Sequence, residues 1–405
     1  MAATRNGDGG RRSRATSALA GRYDTLILGA GVHGLAIAYA LANQEPSERI
    51  AVVDTVAIGA RDGRHVTTPI GFSARGHVGL TLQQHSRTFY RQADELLGRN
   101  IFYAERGALV LPPRGEGQAA FERRRAAWRL HGMGASVSGL DRARGMAPVV
   151  RWDDRTQTVA DLPIHLPQVA LIDPLALYWG YRGRLESKGV TLKKVGEIGR
   201  LMTRAGSVYG LELDAKQVVT PRIVVADPVL AIRLTADIGH PLALVPATTT
   251  ILVSDVLRHW LDPLVLLFPD ISVGQDRSGR IFVRGWRTGE VEHNRVALAD
   301  LGTILDEALE TIPALAGCQA TRIETLPNAV GSDGHALVGP GEIDGLWFDV
   351  GWGDALFDVA PAVAGQLARS MRAGALSEEL RPFSAARHGS GLDNGASLRP
   401  FKAVA

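Results

Sequence analysis

Apolar positions along the chain fall into two kinds of run. Residues 23–28, Tyr-Asp-Thr-Leu-Ile-Leu, and residues 50–53, Ile-Ala-Val-Val, are short and apolar, as expected of strands covered on both faces. Between them Leu35-Ala-Ile-Ala-Tyr-Ala-Leu-Ala predicts a helix, so the chain opens as strand, helix, strand. Helical spacing returns over residues 82–97 and 121–130. The second of these carries Arg123, Arg124 and Arg125, a charge run that reads most simply as a solvated face. Residues 102–111 and 166–171 read as strands. Asp173-Pro174 pairs an N-cap acid with a first-turn proline, predicting a helix that runs to about Lys188 and stops at Gly189. Strands follow at residues 190–195 and 198–202, a hairpin joins 208–213 to 217–219, and residues 222–226 form a buried strand. This return of alternating elements after a long insertion implies that the first sheet is completed by distant segments. Residues 248–287 alternate like antiparallel sheet, 303–311 predict a helix, and 345–350 a last apolar strand. That strand ends in Gly351-Trp-Gly353 before an apolar helix over 359–371.

The turns carry the candidate chemistry. In Gly29-Ala-Gly31-Val-His-Gly34, Gly29 permits a tight turn, Gly31 lets a pyrophosphate approach the backbone, and Gly34 lets helix and strand pack closely. The helix start offers N–H groups to phosphate oxygens, and Asp54, at the end of the second strand, suits a ribose hydroxyl. Any one glycine is explained as well by packing; the ordered set predicts a dinucleotide site without separating NAD from FAD. The Gly351 turn repeats the strand–turn–helix geometry and would bring a second helix start to the same cofactor. Residues 59–72, polar and glycine-rich, predict a loop crossing it, in which Arg64 and Thr67 suit phosphate or ribityl contacts as well as solvent.

Composition narrows the picture. A chain of 405 residues, 45% hydrophobic and 21% charged, can build two domains with substantial cores. Its single cysteine, Cys318, rules out an internal disulfide and a cysteine-rich metal site, which fits a reducing cytoplasm. The net charge of +3 owes much to Arg5, Arg11, Arg12, Arg14 and Arg22, opposed in that stretch by Asp8. The rest is nearly neutral, so no nucleic-acid partner is expected. Residues 1–21 are expected to be a disordered basic tail. Arg11-Arg12 is not followed by an apolar stretch before residue 23, and no apolar run reaches membrane-spanning length, so export and a membrane role are not expected.

These motifs together resemble the D-amino-acid oxidase superfamily of FAD enzymes. The residues that carry the likeness are the opening 23–36 stretch, Glu105-Arg-Gly-Ala-Leu, Ser332-Asp-Gly-His-Ala-Leu-Val-Gly, Gly345-Leu-Trp-Phe and Gly351-Trp-Gly. Within the superfamily the chain is similar to the β subunits of heterotetrameric sarcosine oxidase, including Pro382-Phe-Ser-Ala-Ala-Arg. The resemblance implies non-covalent FAD, partner subunits, an amine substrate, and an α/β fold with an α+β second domain. A discontinuous Rossmann-like domain (22–85, 150–235 and 328–375) would bind FAD. A domain built on antiparallel sheet (86–149 and 236–327) would roof the flavin, and residues 376–405 would form an extension. It further implies that Gly29, Gly31, His33 and Gly34 surround the pyrophosphate, although His33 is equally readable as a plain loop histidine, and that Asp54 holds the ribose. Arg64, His65, Val66 and Thr67 would line the flavin, Ile198 would contact the adenine through its backbone, and Gly351, Gly353, Asp354, Ala355, Leu356 and Phe357 would approach the pyrimidine side.

The departures bear on chemistry. An arginine and a lysine hold the substrate carboxylate in sarcosine oxidases; Ile70 and Asp358 stand at the matching positions, so a carboxylate is expected to be repelled. Asp358 is the candidate catalytic group, able to pair with or deprotonate a substrate ammonium; a surface acid near a helix start is the plainer reading. Ile172 replaces the histidine that carries covalent FMN in such β subunits, so covalent FMN is not expected. Ala226-Asp-Pro and Asp354-Ala-Leu356 replace glycine-rich turns, which opens a second reading, a noncatalytic scaffold or regulatory subunit. An NAD-dependent dehydrogenase would leave the Gly351 turn without a purpose.

Overall fold

A computed structural model describes residues 19, 21–60, 67–113, 117–152, 162–288 and 298–388. Most of the expected tail, together with Arg64, His65 and Val66, lies outside these residues.

The first apolar run forms strand β1 (Thr25–Leu28), helix α1 (Val32–Gln44) follows, and the second run forms β2 (Ile50–Asp54). They belong to a six-stranded sheet in the order Leu337–Pro340, Leu346–Val350, Ile223–Val225, β1, β2, Thr191–Lys194. All neighbours are parallel except Leu337–Pro340, which runs against Leu346–Val350. Strand side chains alternate between the two faces. Ile27, Val52 and Val224 pack against α1 and the helices Pro174–Ser187 and Leu356–Ala373. Leu26, Leu28, Val53 and Val225 pack on the other face against the antiparallel sheet Ile198–Arg204, Ser207–Leu213, Lys216–Val219 and the helix Pro228–Asp237. Both faces are therefore buried, as the unbroken apolar runs require. The distant segments do complete the first sheet.

The second large unit is an eight-stranded sheet ordered Ala320–Gly331, Leu244–Val256, Arg280–Thr288, Ile271–Gln275, Leu264–Leu267, Ala108–Leu111, Ile164–Leu166, Ser136–Val137. Val265, Val273, Ile281 and Val283 face the helix Leu298–Thr311 through Ile304 and Ala308. Leu264, Leu266 and Phe282 face the opposite way, toward Phe121 and Trp128 of the helix Gln118–Leu130.

Two expected strands divide. Residues 102–111 split at Gly107 (φ 72°) into Ala104–Glu105, in a small antiparallel sheet with Ala170–Ile172 and Thr68–Ile70, and Ala108–Leu111 in the large sheet. Residues 166–171 split between Ile164–Leu166 and Ala170–Ile172, so this hydrophobic stretch crosses from one sheet to the other. Several elements were absent from the sequence reading, among them the helices Pro228–Asp237 and Leu140–Met146, the strands Ala320–Gly331 and Leu337–Pro340, and the strand Thr68–Ile70 inside the expected 59–72 loop.

Candidate functional site

Both glycine corners open into one groove. Gly29, Gly31, His33, Asp54 and Ala226 line it from the first corner, Gly351, Trp352, Leu356 and Phe357 from the second, and Thr249 with Asn328 from the eight-stranded sheet. At the first corner Gly29 has φ 109°, and a Cβ on Gly34 would lie 1.9 Å from the Gly29 carbonyl oxygen. Only glycine tolerates either position. Helix α1 starts at Gly31 with no side chain capping it, so its positive end serves the groove, the arrangement that binds phosphate elsewhere. The buried Asp54 is set by the turn it terminates: Oδ2 accepts from the Ala30 N–H (2.8 Å) and Oδ1 from the Val56 N–H (3.1 Å). Thr249 Oγ1 is buried without a hydrogen-bond partner among the described residues and belongs to a residue lining the groove. A buried hydroxyl needs a partner, which an occupant can supply. The uncapped helix, the glycine cradle and this unmatched hydroxyl together fit a dinucleotide.

His33 has a different job from the one expected. Its Nδ1 lies 2.7 Å from Asp349 Oδ2 and its Nε2 2.9 Å from the Leu356 carbonyl oxygen, and Trp352 Nε1 donates to Asp349 Oδ1 at 2.6 Å. Both partners of the imidazole are oxygen atoms within hydrogen-bond distance, one on each ring nitrogen. His33 is thus a strut joining the first corner to the second, stacked on Trp352 at 5.9 Å, with no nitrogen left for phosphate.

The sequence reading misplaced Asp358. Its carboxylate is buried and turned onto the loop after Thr68–Ile70, accepting from the N–H groups of Gly71 (2.8 Å), Phe72 (3.0 Å), Ser73 (2.6 Å) and Ala74 (3.4 Å). Burial pushes its pKa up to about 6, against the opposing pull of the Gly71 and Ser73 amides. With four donors on two oxygens it fixes the loop and does not present a free carboxylate to a substrate. Ile70, at the other substituted position, is buried in the core.

Of the remaining expected residues, Ile198 is buried outside the groove, with its carbonyl taken by the Arg233 guanidinium. Thr67 is half-buried and is not among the groove-lining residues. Gly353, whose carbonyl accepts from Asn328 Nδ2 at 2.6 Å, lies with Asp354 and Ala355 in a short turn beside the groove. Asp227 meets the groove but turns its Oδ1 to cap the helix Pro228–Asp237 at the Leu230 N–H (2.8 Å).

Next to the groove is a cavity of about 400 Å³ between the eight-stranded sheet, the helix Gln118–Leu130 and the Phe72 loop. Arg284 lines both spaces, the one residue to do so among those described. Strand parity explains this: Val283 faces the helix Leu298–Thr311, so Phe282, Arg284 and Trp286 face the other way. The expected solvated face of residues 121–130 needs correction at Arg124. Its guanidinium donates to the Phe72 carbonyl, lies over the Trp128 ring at 5.0 Å, and has its pKa lowered to about 9, first by burial and then by Arg75. Asp270, also on the cavity, has Oδ1 buried without a hydrogen bond among the described residues, 4.0 Å from Arg75 Nη2, and burial raises its pKa to about 6 against the pull of Arg75. Sequence reasoning missed Arg75, Asp270 and Arg284. A usable signal for Arg284 was present: a charged residue between Phe282 and Trp286 on one face of an apolar strand.

The family described as FAD dependent oxidoreductase matches residues 24–370. Sarcosine oxidase subunit beta of Rhizobium meliloti (strain 1021) is 25% identical over 349 residues, covering 84% of this chain and 82% of that one. The same subunit of Rhodobacter capsulatus is 20% identical over 343 residues, with 84% and 82% covered. Among solved structures, L-proline dehydrogenase from P. horikoshii superposes with a TM-score of 0.80 at 17% identity, covering 92% of this chain and 99% of that one. Glycine oxidase from Geobacillus kaustophilus gives 0.77 at 20%, covering 91% and 100%.

Proposed function

Because the chain belongs to the family of FAD dependent oxidoreductases, with FAD as its cofactor, we propose that it oxidises the C–N bond of an amine or imino acid, as one subunit of a hetero-oligomer. The observation that carries this reading is the junction at Arg284 of a dinucleotide groove with a cavity large enough for a small organic substrate. The names of the relatives support the amine substrate and the subunit role.

Bound FAD would accept the hydride from the carbon beside the substrate nitrogen. The chain's own residues bind and orient. Helix α1 would hold the pyrophosphate and Asp54 the ribose, while the His33–Asp349 pair keeps the two corners at a fixed separation. Asp358 holds the Phe72 loop as one wall of the cavity. Asp270, rather than Asp358, would be the carboxylate that takes a proton from a substrate ammonium, sharing its Oδ1 with Arg75 at 4.0 Å, and a pKa near 6 suits that exchange.

The test is anaerobic mixing of the flavin-loaded chain with a panel of amines, imino acids and amino acids. Loss of the oxidised flavin absorbance with at least one supports the reading. Persistent absorbance with all of them refutes it and favours the second reading, a subunit that holds FAD as a scaffold, for which the side chains of Asp227 and Leu356 at the groove speak. Native mass spectrometry tests the subunit role: a chain that remains monomeric with every co-expressed neighbour contradicts it.

A further inference from the structure

The strand Ala320–Gly331 is one edge of the eight-stranded sheet, paired on its inner side with Leu244–Val256. Among the described residues, the backbone pairing on its outer side is confined to the bridge from Val330 to Trp352, so the first half of the strand is an open edge. Pro327 decides which groups that edge offers. A proline has no N–H for a ladder and stands in an edge strand with that side turned to solvent. Alternation then turns the N–H and C=O groups of Ile323 and Thr325 outward and those of Arg322 and Glu324 inward, toward Val253 and Ile251.

An open edge invites another strand, and edges are ordinarily protected by charges that repel a copy of themselves. This one carries charges that attract a copy. Ile323, 43% exposed, is flanked by Arg322 and Glu324, which share one face of the sheet and pair with each other at 3.0 Å. In Thr321-Arg322-Ile323-Glu324-Thr325 an antiparallel copy centred on Ile323 sets isoleucine against isoleucine, each Arg322 against the other chain's Glu324, and each Thr321 against the other chain's Thr325. Sliding the copy by two residues, the smallest shift that keeps outward groups opposed, sets Arg322 against Arg322 or Glu324 against Glu324. The charges therefore fix the register as well as favour the contact.

We propose that two copies of this chain associate edge to edge, residues 321–325 pairing antiparallel across a two-fold axis at Ile323 and joining the two eight-stranded sheets. These residues line neither the groove nor the cavity, so the inference stands independently of the oxidation reading. The contact is small, and association is expected to depend on concentration.

Sedimentation equilibrium of the flavin-loaded full chain, from about 1 to about 200 µM, should show a monomer–dimer equilibrium. Arg322→Glu and Glu324→Arg should each weaken it about tenfold, because both cross-strand pairs turn repulsive. An equimolar mixture of these two variants should dimerise like the unaltered chain: their charges are complementary between chains, although each chain keeps like charges within its own strand. A structural role confined to one chain predicts no such rescue. On oxidation in a Cys318→Ser background, Ile323→Cys should form a covalent dimer, since opposed residues there lie about 5.5 Å apart between Cα atoms, and Thr325→Cys should not. A chain that stays monomeric over the whole range overturns the proposal, as do a mixture that dimerises no better than its components and equal cross-linking at the two cysteine positions. The unaltered chain and the cysteine variants decide the matter if a charge variant fails to fold.

Discussion

His33→Ala should reveal how much the strut between the corners contributes. His33 is 5% exposed and Asp349 1%, and the variant would leave the Asp349 carboxylate with only the Trp352 indole from this network. Removing one member of a buried pair costs about 3–5 kcal/mol, because the remaining charge is stranded. Deleting the stranded group as well should recover part of this. His33→Ala/Asp349→Ala is therefore expected to be more stable than the two single costs add up to, with a coupling of about 2 kcal/mol, inside the range for contacting residues. Guanidinium unfolding followed by circular dichroism gives the four stabilities, with FAD held at one concentration because a bound cofactor shifts the midpoint. The same variant should weaken FAD binding at least tenfold, about 1.4 kcal/mol, since the two sides of the groove lose their fixed spacing. A His33→Ala cost below about 1 kcal/mol, or single costs that add within about 0.5 kcal/mol, would refute the strut.

Other perturbations follow from the same geometry. Asp358→Ala should cost about 2–4 kcal/mol by orphaning loop donors, and hydrogen exchange at Gly71, Phe72 and Ser73 should accelerate; unchanged exchange there would contradict the loop-holding role. Asp270 has a folded pKa raised to about 6, so folding favours its protonated form, and the cost of its charge sets in as pH rises from about 4 to about 6 and is constant above. Facing Arg75, Arg287, Asp354 and Glu307, it adds a negative charge to the folded cavity around pH 6. Flavin reduction by a substrate from the panel should therefore quicken as pH rises through about 6, and Asp270→Asn should flatten the profile; an identical profile in the variant would exclude Asp270 as the source. Asp227→Asn keeps the helix cap and removes an anion from the groove, so FAD should bind several-fold more tightly, while Asp227→Ala should lose about 1 kcal/mol of stability; weaker FAD binding in the asparagine variant would show that the carboxylate helps. Gly34→Ala, whose methyl would meet the Gly29 carbonyl at 1.9 Å, should abolish FAD binding, as checked by the flavin content of the purified protein.

What was readable in the sequence is what local physics enforces. The first glycine corner, both buried strands beside it and the Asp173 cap follow from steric and hydrogen-bond rules acting within about twenty residues. The helix Pro228–Asp237 obeys the same acid-then-proline rule as Pro174–Ser187, yet it was obscured because Asp227 was weighed only as a departure from a glycine turn. The strand Ala320–Gly331 is largely half-exposed, so its pattern carries little hydrophobic signal. Roles set by tertiary contact were not legible. Asp358 meets its partners across nearly the whole chain, and the burial of Arg124 depends on Phe72 and Trp128 arriving from different elements. The charge around the cavity was not legible either: two lost charges could be counted in the sequence, while the cavity-lining arginines come from a sheet and a helix whose facing is decided only on folding.

A crystal structure of the chain grown with FAD examines the central claim most directly. The account predicts one FAD lying along the groove, with its ribose at Asp54, its pyrophosphate at the start of α1 and its ring system beside Leu356 and Arg284. FAD bound elsewhere, or contacting only one of the two glycine corners, would contradict it.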